Sequence, residues 1–274
     1  MRLTFAQPDP RLSQMIGSYY LFEEDYAMIE DVRRADIGYL RFFLEGTGHQ
    51  DFGAHRIASC PAFLSGPACI YSSFTISGPM RFLGVPLLPD AWGGLLTGPA
   101  NSVAGGAGEA GPLLRTPPQK LIETLRATTS IEEMKPLVDA YFLTGMRPIA
   151  DDRRRVIETI RGWLSAIWFP NVAALYDACG LSDRQVTRIA NHHFGAAPKA
   201  LARKYGALRT ASHIALHDGE IPEAALAHYA DKSHLIREVK RVTGQTPRQL
   251  RTISSTIMRI TLHPDNFPEL RPRT

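Results

Sequence analysis

Residues 179–201 read CGLSDRQVTRIANHHFGAAPKAL, and residues 230–251 read ADKSHLIREVKRVTGQTPRQLR. The second stretch repeats the first at an offset of 49 residues, and the match continues upstream of both. The matched pairs are Val172 and Ile221, Ala178 and Ala227, Ser182 and Asp231, Val186 and Leu235, Arg188 and Arg237, Gly195 and Gly244, Pro198 and Pro247, and Leu201 and Leu250. Each copy predicts a short helix, a tight turn, a longer helix that opens on a capping residue, and a Gly-x-x-Pro stop.

The first copy has the pattern of a helix-turn-helix unit. Val172–Ala178 is its supporting helix, Gly180 lies in the turn, and Ser182 caps a second helix over Asp183–Phe194. Spacings of three and four residues place one polar set on the outer face of that second helix. This set is Arg184, Thr187, Arg188 and Asn191. Such a face fits a major groove about 12 Å wide, where Arg suits guanine and Thr contacts a polar edge or a thymine methyl.

The second copy predicts the same unit with an acidic cap. Ile221–Ala227 is the supporting helix, Asp231 caps the reading helix, and Ser233 and Arg237 face outward. A linker helix over residues 198–217 joins the two units and fixes the distance between them. Two reading helices about 34 Å apart would enter successive major grooves on one face of DNA.

Cations beside the reading faces are predicted to contact phosphate rather than base edges. Two of them, Lys240 and Arg241, lie toward the end of the second reading helix. The predicted phosphate contacts are Lys199, Lys240, Arg241 and Arg248. A solvated helix face also carries Arg at a spacing of four, so one such motif is a weak signal. Two copies with equivalent caps at one offset favour DNA binding over that alternative.

The length and the charge distribution of the chain limit the class of protein to which it can belong. A chain of 274 residues is long enough for two domains, and its net charge is +4. Residues 1–150 contain 12 Lys and Arg against 15 Asp and Glu, whereas residues 151–274 contain 19 against 12. The basic half is the half that carries the repeat, as expected for a phosphate-binding surface.

The cellular setting follows from what the sequence lacks. No apolar run approaches the ~20 residues of a membrane span, and the first ten residues lack the features of a signal peptide. Cys60, Cys69 and Cys179 form neither a disulfide framework nor a zinc-finger spacing. We expect a cytoplasmic protein without a membrane partner.

The predicted fold class is α+β with two domains. Residues 1–116 read as a β-rich sandwich or barrel, because short apolar runs are separated by Gly and Pro. The predicted strands are Gly38–Leu44, Ala62–Ser65, Cys69–Ile76 and Met80–Leu87. Asp90–Thr97 predicts a short helix and residues 98–112 a loop.

Helices are predicted from residue 117 onward. Residues 117–150 form a connector, in which a Ser130–Glu133 capping box opens the second helix. The apolar residues of the connector pack within the chain or form a dimer face. Residues 151–254 form the helical domain, and residues 255–274 form a tail. Within this tail, the segment Ile257–Leu262 alternates weakly like a strand, and Pro264–Thr274 has the composition of a disordered segment.

The repeated stretches resemble the AraC/XylS family of bacterial transcription regulators over Asp151–Arg251. The second stretch is the more specific, with Asp-x-Ser-His, a spaced Arg and Gly-x-Thr-Pro. The resemblance implies a seven-helix DNA-binding domain, with base contacts from Arg184, Thr187, Arg188, Ser233 and Arg237. His228 stands where the family usually has Gly in the second turn. The turn either forms with His228 or changes locally, which would alter the direction in which the second reading helix leaves it.

The first half is similar in layout to the cupin-like sensor domains that often precede such a module. Those domains bind a small effector or mediate dimerisation, so the resemblance implies a homodimer with a small-molecule effector, and RNA polymerase is a further candidate partner. Tyr39, Arg41 and Phe43 share one strand face by their period of two and are the candidate ligand-binding residues. An Arg between aromatic rings suits an anionic aromatic effector; the alternative is an exposed edge with an extended Arg side chain.

The sequence predicts no catalytic residue, metal site or cofactor. Nucleophile-elbow, P-loop and dinucleotide fingerprints are missing. His213 and His217 lie one helical turn apart without a third ligand, and His49 and His55 lack the denser cluster of a metal-binding cupin. The open alternatives to an effector-controlled regulator are a cupin-type metallo-enzyme fused to a helical domain, an architectural DNA binder without ligand, and an anti-regulator that lost DNA binding.

Overall fold

The computed structural model describes residues 1–25, 28–252 and 255–270. Its first part is an eight-stranded antiparallel sheet, in agreement with the β-rich half that the sequence predicts. The strands are β1 Arg2–Ala6, β2 Tyr19–Glu24, β3 Met28–Arg33, β4 Gly38–Phe52, β5 His55–Ala58, β6 Ala62–Ser65, β7 Ser72–Leu87 and β8 Ala107–Glu109. The main path runs β1-β2-β7-β4-β6-β8, while β3 pairs with β7 and β5 with β4.

The two long strands β4 and β7 form the centre of this sheet. The predicted break between Ile76 and Met80 is wrong, because β7 passes through Gly78 and Pro79 without ending. Gly78 takes a positive φ of 75° there, and β4 shifts its register against β7 between residues 43 and 47. A β-bulge of this kind keeps two strands paired across an irregular residue.

Several elements of the sheet go beyond what the sequence predicts. No prediction covers β1, β2, β3 or β5, and β8 lies within residues 98–112, for which the sequence predicts a loop. The short helix predicted over Asp90–Thr97 is the single turn α1, Ala91–Gly94. These segments are short or polar on one face, so their periodicity is weak in the sequence alone.

The helical half follows the predicted order closely. The helices after α1 are α2 Gln119–Arg126, α3 Ile131–Gly145, α4 Asp151–Ala166, α5 Val172–Cys179, α6 Asp183–Phe194, α7 Pro198–Leu216, α8 Glu223–His228, α9 Lys232–Thr243, α10 Pro247–Arg251 and α11 Thr256–Leu262. Helices α4 to α10 are the seven that the resemblance implies. The Ser130–Glu133 capping box at the start of α3 is present.

The connector helices pack against the sheet. The apolar face of α3 is buried within the chain, and its Asp139 Oδ1 accepts a hydrogen bond from Tyr19 Oη at 2.9 Å. Buried residues of that face are Ile131, Met134, Val138 and Phe142. This face is therefore used in intramolecular packing, the first of the two alternatives for the connector.

The sheet and the helical half share one hydrophobic core. Polar contacts cross between them as well: Arg161 Nη2 of α4 lies 2.6 Å from Asp90 Oδ2, and His193 Nδ1 of α6 lies 2.9 Å from the Pro89 carbonyl oxygen. Because a carbonyl oxygen can only accept, the His193 ring donates through Nδ1. Arg161, Asp90 and His193 are all buried, so these polar contacts form part of the packed boundary between the two halves.

The C-terminal segment differs from its prediction. The strand-like residues 257–262 are helical as α11, and residues 264–270 form two short 3-10 helices rather than a disordered tail. Met258, Leu262 and Phe267 are buried against the rest of the molecule, and this tertiary burial stabilises a segment with a weak local signal. Residues 271–274, the end of the predicted disordered stretch, lie outside the described residues.

None of the helices that the structure describes combines the length and the apolar character needed to cross a bilayer.

Candidate nucleic-acid interface and ligand cavity

The first helix-turn-helix unit consists of α5 and α6. Gly180 ends α5 with a φ of 61°, the left-handed conformation that a tight turn requires. Ser182 then caps α6, and the Gln185 side chain completes a capping box by accepting from the Ser182 backbone amide. The turn and the cap together fix the direction in which α6 leaves the turn.

The two faces of α6 divide as predicted. Val186, Ile189 and Ala190 are buried against the domain core, whereas Arg184 and Arg188 are exposed. Neither exposed guanidinium forms an ion pair among the described residues. Thr187 lies between them in sequence and is half-buried, with its hydroxyl 3.3 Å from Tyr176 Oη.

The second unit consists of α8 and α9. Asp231 Oδ1 accepts from the His234 backbone amide at 2.7 Å and caps α9. The inner face of α9 is buried, while Ser233 and Arg237 are exposed on its outer face. The inner residues are Leu235, Val239 and Val242. The two predicted reading faces are thus both accessible, and their arginines occupy equivalent positions of the repeat.

The second turn forms without a glycine. His228 lies inside α8, and the chain leaves the helix at Tyr229 with φ −84° and ψ 135°. The His228 ring stacks on Phe169, with ring centroids 3.6 Å apart. Because no left-handed residue is used here, the departure from the family pattern is accommodated by ordinary backbone geometry.

Three of the four predicted phosphate contacts, Lys199, Lys240 and Arg248, are exposed. Arg241 is not free for this role, which corrects the prediction. Its Nη1 donates to the Cys69 carbonyl oxygen at 2.5 Å, and its guanidinium also pairs with Glu238. Arg241 therefore joins α9 to the sheet domain.

Glu238 connects α9 to the linker helix. Its carboxylate, which is 4% exposed, accepts from Arg203 at 2.5 Å and from Arg241 at 3.1 Å. Burial alone would raise the pKa of Glu238, but the hydrogen bonds from both arginines outweigh burial and lower that pKa. The side chain is held ionised between two cations.

Two further cations of the linker helix serve the fold. Lys204 Nζ is buried and donates to the Asp36 carbonyl oxygen at 2.8 Å, across the boundary between sheet and helices. Arg209 donates to the carbonyl oxygens of Ile167 and Trp168 at 3.0 and 3.2 Å. The sequence does not distinguish Lys204 and Arg209 from the exposed cations of the same helix, because their carbonyl partners lie far away along the chain.

A cavity of about 280 Å³ lies in the sheet domain. Tyr39, Arg41 and Phe43 all line it, so the structure brings the three candidate ligand residues together on an inner wall rather than on an exposed edge. Much of the remaining wall is aromatic and apolar, including Phe63 and Phe82. The size is close to the lower limit of ligand pockets, which span about 300–1,000 Å³.

Arg41 is held in this cavity by a chain of neutral hydrogen bonds. Its Nη1 donates to Ser65 Oγ at 2.8 Å, and Ser65 in turn donates to Gln50 Oε1 at 2.7 Å. Within the described part of the chain, Arg41 has no carboxylate partner at ion-pair distance. A cation fixed by neutral groups in an apolar cavity favours the binding of an anion.

Arg33 is a second cation in the cavity wall, and the sequence does not identify it. Its Nη2 lies 3.6 Å from Asp36 Oδ2, and the guanidinium stacks 4.2 Å from the Tyr39 ring centroid. Burial and the nearby charge of Arg41 lower the pKa of Arg33. The sequence does not reveal this role of Arg33, because buried and exposed residues do not alternate regularly along β3, the strand that ends at Arg33.

The described residues contain no group of three or more His, Cys, Asp or Glu side chains placed to hold a metal ion. His49 Nε2 lies 3.6 Å from Asp51 Oδ2, and the His213 and His217 rings stack with centroids 4.1 Å apart.

Comparisons with known proteins agree on the helical half. Residues 175–253 match the family model described as a helix-turn-helix domain. No curated protein matches the chain in sequence.

The chain is also similar to solved structures of ToxT from Vibrio cholerae. A 1.65 Å structure of ToxT is 9% identical, with a TM-score of 0.48, covering 88% of this chain and 100% of that one. ToxT from strain O395 is 10% identical, with a TM-score of 0.45 and coverages of 87% and 98%. An unsaturated-fatty-acid-bound ToxT from strain SCE256 is 11% identical, with a TM-score of 0.43 and coverages of 85% and 98%. Likeness at this level carries no conclusion about ligand or partner.

The matched residues coincide with the repeat and with both reading helices. They begin in α5, include α6 and α9, and end just after α10. The C-terminal part of this chain is a tandem helix-turn-helix domain of the AraC type.

Proposed function

We propose that the protein is a sequence-specific DNA-binding transcription regulator that reads two successive major grooves. The observation that carries this proposal is the equivalence of Arg188 and Arg237. Both lie one turn inside a capped helix, on the exposed face, with the opposite face anchored in the core. An exposed Arg on a firmly held helix can form the bidentate contact with guanine that gives sequence specificity.

The other contacts are assigned by their place on the same surfaces. Base contacts come from the outer faces of α6 and α9, and phosphate contacts from cations beside them. The proposed base-reading residues are Arg184, Thr187, Arg188, Ser233 and Arg237. The proposed phosphate contacts are Lys199, Lys240 and Arg248.

We further propose that the cavity of the sheet domain binds a small anionic effector. Arg41 supplies the charge, and Tyr39 and Phe43 supply flat apolar surface beside it. Effector binding changes DNA occupancy by favouring one placement of the helical half over another, since a ligand shifts an equilibrium only through its different affinity for two states. Homodimerisation, contact with RNA polymerase and a cytoplasmic location stay predictions.

Selection of bound sequences from a random double-stranded DNA library tests the DNA-reading proposal. We expect enrichment of a site with two conserved clusters about 10 base pairs apart, the spacing of successive major grooves. The Arg188→Ala and Arg237→Ala variants should each lose conservation in one cluster only. A selection that enriches no sequence, or clusters that neither variant alters, would contradict the proposal.

A further inference from the structure

The cavity is built by both halves of the chain. The sheet supplies most of the wall, and the segment that follows the second helix-turn-helix unit, residues 255–270, supplies the rest. From this C-terminal segment, Ile257, Ile260 and Thr261 line the cavity. Ile257 also packs against the apolar cluster that contains Phe22 and Phe82, so the segment completes the apolar lining.

Hydrogen bonds attach the C-terminal segment to the sheet on the cavity side. Ser255 Oγ donates to Asp31 Oδ2 of β3 at 2.6 Å. Arg34 is 2% exposed and donates to the carbonyl oxygens of Thr261 and Asn266 at 2.8 and 2.9 Å. Arg34 directly follows Arg33, the cation of the cavity wall, so the cavity and the segment are attached to the same stretch of chain.

The other side of the C-terminal segment is attached to the linker helix. Ser212 Oγ of α7 donates to the Leu262 carbonyl oxygen at 2.6 Å, and Tyr205 Oη of α7 donates to Glu269 Oε1 at 2.8 Å. Both of these α7 side chains are buried. Since α7 joins the two helix-turn-helix units, the segment connects the cavity wall to the helix that spaces the reading helices.

The charges of the cavity define the ligand class. Three arginines (Arg33, Arg34 and Arg41) and two carboxylates (Asp36 and Asp265) line the cavity. Asp36 lies 3.6 Å from Arg33 and 3.4 Å from Arg34, whereas Arg41 is balanced only by neutral groups among the described residues. One uncompensated positive charge calls for one negative charge, and the aromatic wall calls for an apolar body.

We propose that the cavity binds an apolar molecule with a single carboxylate, held jointly by the sheet and the C-terminal segment. The carboxylate lies at Arg41 and Arg33, and the apolar body contacts Ile257 and Ile260. The inference rests on the proposed effector cavity and adds the ligand class and the shared wall. A bound ligand therefore strengthens the attachment between the sheet and the segment, and through α7 the effect reaches both reading helices.

Calorimetric titration of the full chain with decanoate and with 4-phenylbutyrate tests the ligand class, with decanol as the uncharged match. We expect saturable binding of at least one carboxylate, at least tenfold tighter than decanol. Arg41→Gln should remove most of that preference for the charged ligand. Failure of both carboxylates to bind, or equal affinity for the alcohol, overturns the proposal.

The shared wall is tested by Ile257→Ala and Ile260→Ala, with Arg259→Ala on the exposed side of the same helix as the matched control. Each Ile variant should weaken carboxylate binding several-fold, while the control keeps wild-type affinity. Amide hydrogen exchange in residues 255–270 should slow on addition of the carboxylate in the wild-type protein. Unchanged affinity in both Ile variants, together with unchanged exchange, overturns the shared wall.

DNA binding of the same ligand-free variants separates this inference from the proposed function. Arg41→Gln and Ile260→Ala should bind the selected DNA site as the wild-type protein does, because neither residue lies on a reading face. Normal DNA binding without carboxylate binding overturns the ligand inference alone. If the wild-type protein binds no DNA sequence specifically, the proposed function is overturned.

A second inference comes from an independent feature of α9. Ile236 is 42% exposed on a helix whose other exposed residues, Lys232, Ser233, Arg237 and Lys240, are polar. The offset of the repeat pairs Ile236 with Thr187, and each is followed directly by the reading arginine of its helix. Both positions therefore carry a methyl group beside an arginine.

We infer that Ile236 contacts the C5-methyl group of a thymine beside the base pair that Arg237 reads. Apolar contact with this methyl is a direct way to distinguish thymine from the other bases. Thr187 is suited to the same contact, because Tyr176 engages its hydroxyl and leaves its methyl for the base.

Replacement of single thymines by deoxyuridine in the selected site tests this inference, since deoxyuridine differs only by the missing methyl. One replacement in the cluster that Arg237 reads should weaken wild-type binding about three- to tenfold and have no effect on Ile236→Ala. Equal sensitivity of the wild-type protein and Ile236→Ala at every thymine overturns the inference.

Discussion

Arg161 Nη2 and Asp90 Oδ2 lie 2.6 Å apart in an ion pair whose two side chains are at most 2% exposed. The pair joins α4, the first helix of the helical half, to the loop between β7 and α1. Arg161 has a second partner in Glu158, at 2.5 Å, which is 36% exposed. A buried ion pair between the halves stabilises their packing, because a rearrangement that leaves either charge buried without its partner costs several kcal/mol.

Loss of this ion pair should destabilise the whole chain. Asp90→Ala leaves the buried Arg161 with Glu158 as its one acidic partner among the described residues, and we expect the free energy of unfolding to fall by about 3 kcal/mol. Urea denaturation measures the change. Asp151→Ala is the matched control, because its ion pair with Arg154 is exposed and should contribute little. Equal stability of the two variants would show that the Asp90 pair is not structural.

Acid should weaken the packing of α6 on the sheet domain. Burial lowers the pKa of His193 to about 4 from an ordinary 6.5. The neighbouring His192, Arg153 and Arg161 lower this pKa further through charge repulsion. Between pH 6.5 and 4 the unfolded chain binds a proton here that the folded chain does not. The free energy of unfolding should therefore decrease as the pH is lowered from 6.5 to 4, by up to about 3 kcal/mol.

The check on this prediction is the difference between two variants of one position. His193→Gln keeps an amide donor for the Pro89 carbonyl oxygen and removes the titration. Its stability should change less than that of the wild-type protein between pH 7 and pH 4. Parallel curves for the two proteins would assign the acid sensitivity to other groups.

Removal of a reading arginine should change sequence preference. Arg188→Ala or Arg237→Ala should weaken binding to the selected site by about 1–3 kcal/mol and relax the preference at one base pair. Fluorescence anisotropy with the selected site and with single-base variants measures both effects. If Arg237→Ala keeps full affinity and selectivity, α9 does not read bases.

Neighbouring cations of α9 should behave differently when removed. Lys240→Ala should weaken binding to all DNA sequences to a similar degree and reduce the salt dependence by about one phosphate contact. Arg241→Ala should instead lower the stability of the fold, because Arg241 binds the Cys69 carbonyl oxygen and Glu238. DNA affinity measured across a salt series, with a melting curve for each variant, separates the roles. The assignment is reversed if Arg241→Ala alters the salt dependence and Lys240→Ala does not.

Local signals explain which parts of the fold are predictable. Gly180, Ser182 and Asp231 define their turns and caps through short-range backbone chemistry, so the predicted bounds of α6 and the predicted cap of α9 agree with the observed ones. The repeat adds a second, independent copy of that chemistry. Once a cap fixes where a helix begins, its periodicity alone places Arg188 and Arg237 on the outer faces, where both are exposed.

Contacts between distant segments explain what cannot be predicted. Arg241 is predicted to contact phosphate, and nothing in the sequence marks Lys204 as a structural residue, but each donates to a carbonyl oxygen of the sheet domain that lies far away along the chain. The fold of residues 255–270 depends in the same way on burial of Met258 and Phe267. Helix spacing identifies the face on which a side chain lies, but not the distant segment that packs against that face.

Both reading helices end against one loop of the sheet domain, residues 66–71. Gly195, which ends α6, leaves no room for a β-carbon because Pro67 would lie 2.3 Å away, and Gly244, which ends α9, is similarly close to the Tyr71 ring. The loop therefore packs against the C-terminal ends of both reading helices, and the Tyr71 backbone amide also donates to the Arg241 carbonyl oxygen at 3.0 Å. If the cavity binds an effector as proposed, Pro67→Ala and Tyr71→Ala should bind the selected DNA site with wild-type sequence preference but respond less to the effector, and an unchanged response in both variants would show that this loop does not transmit it.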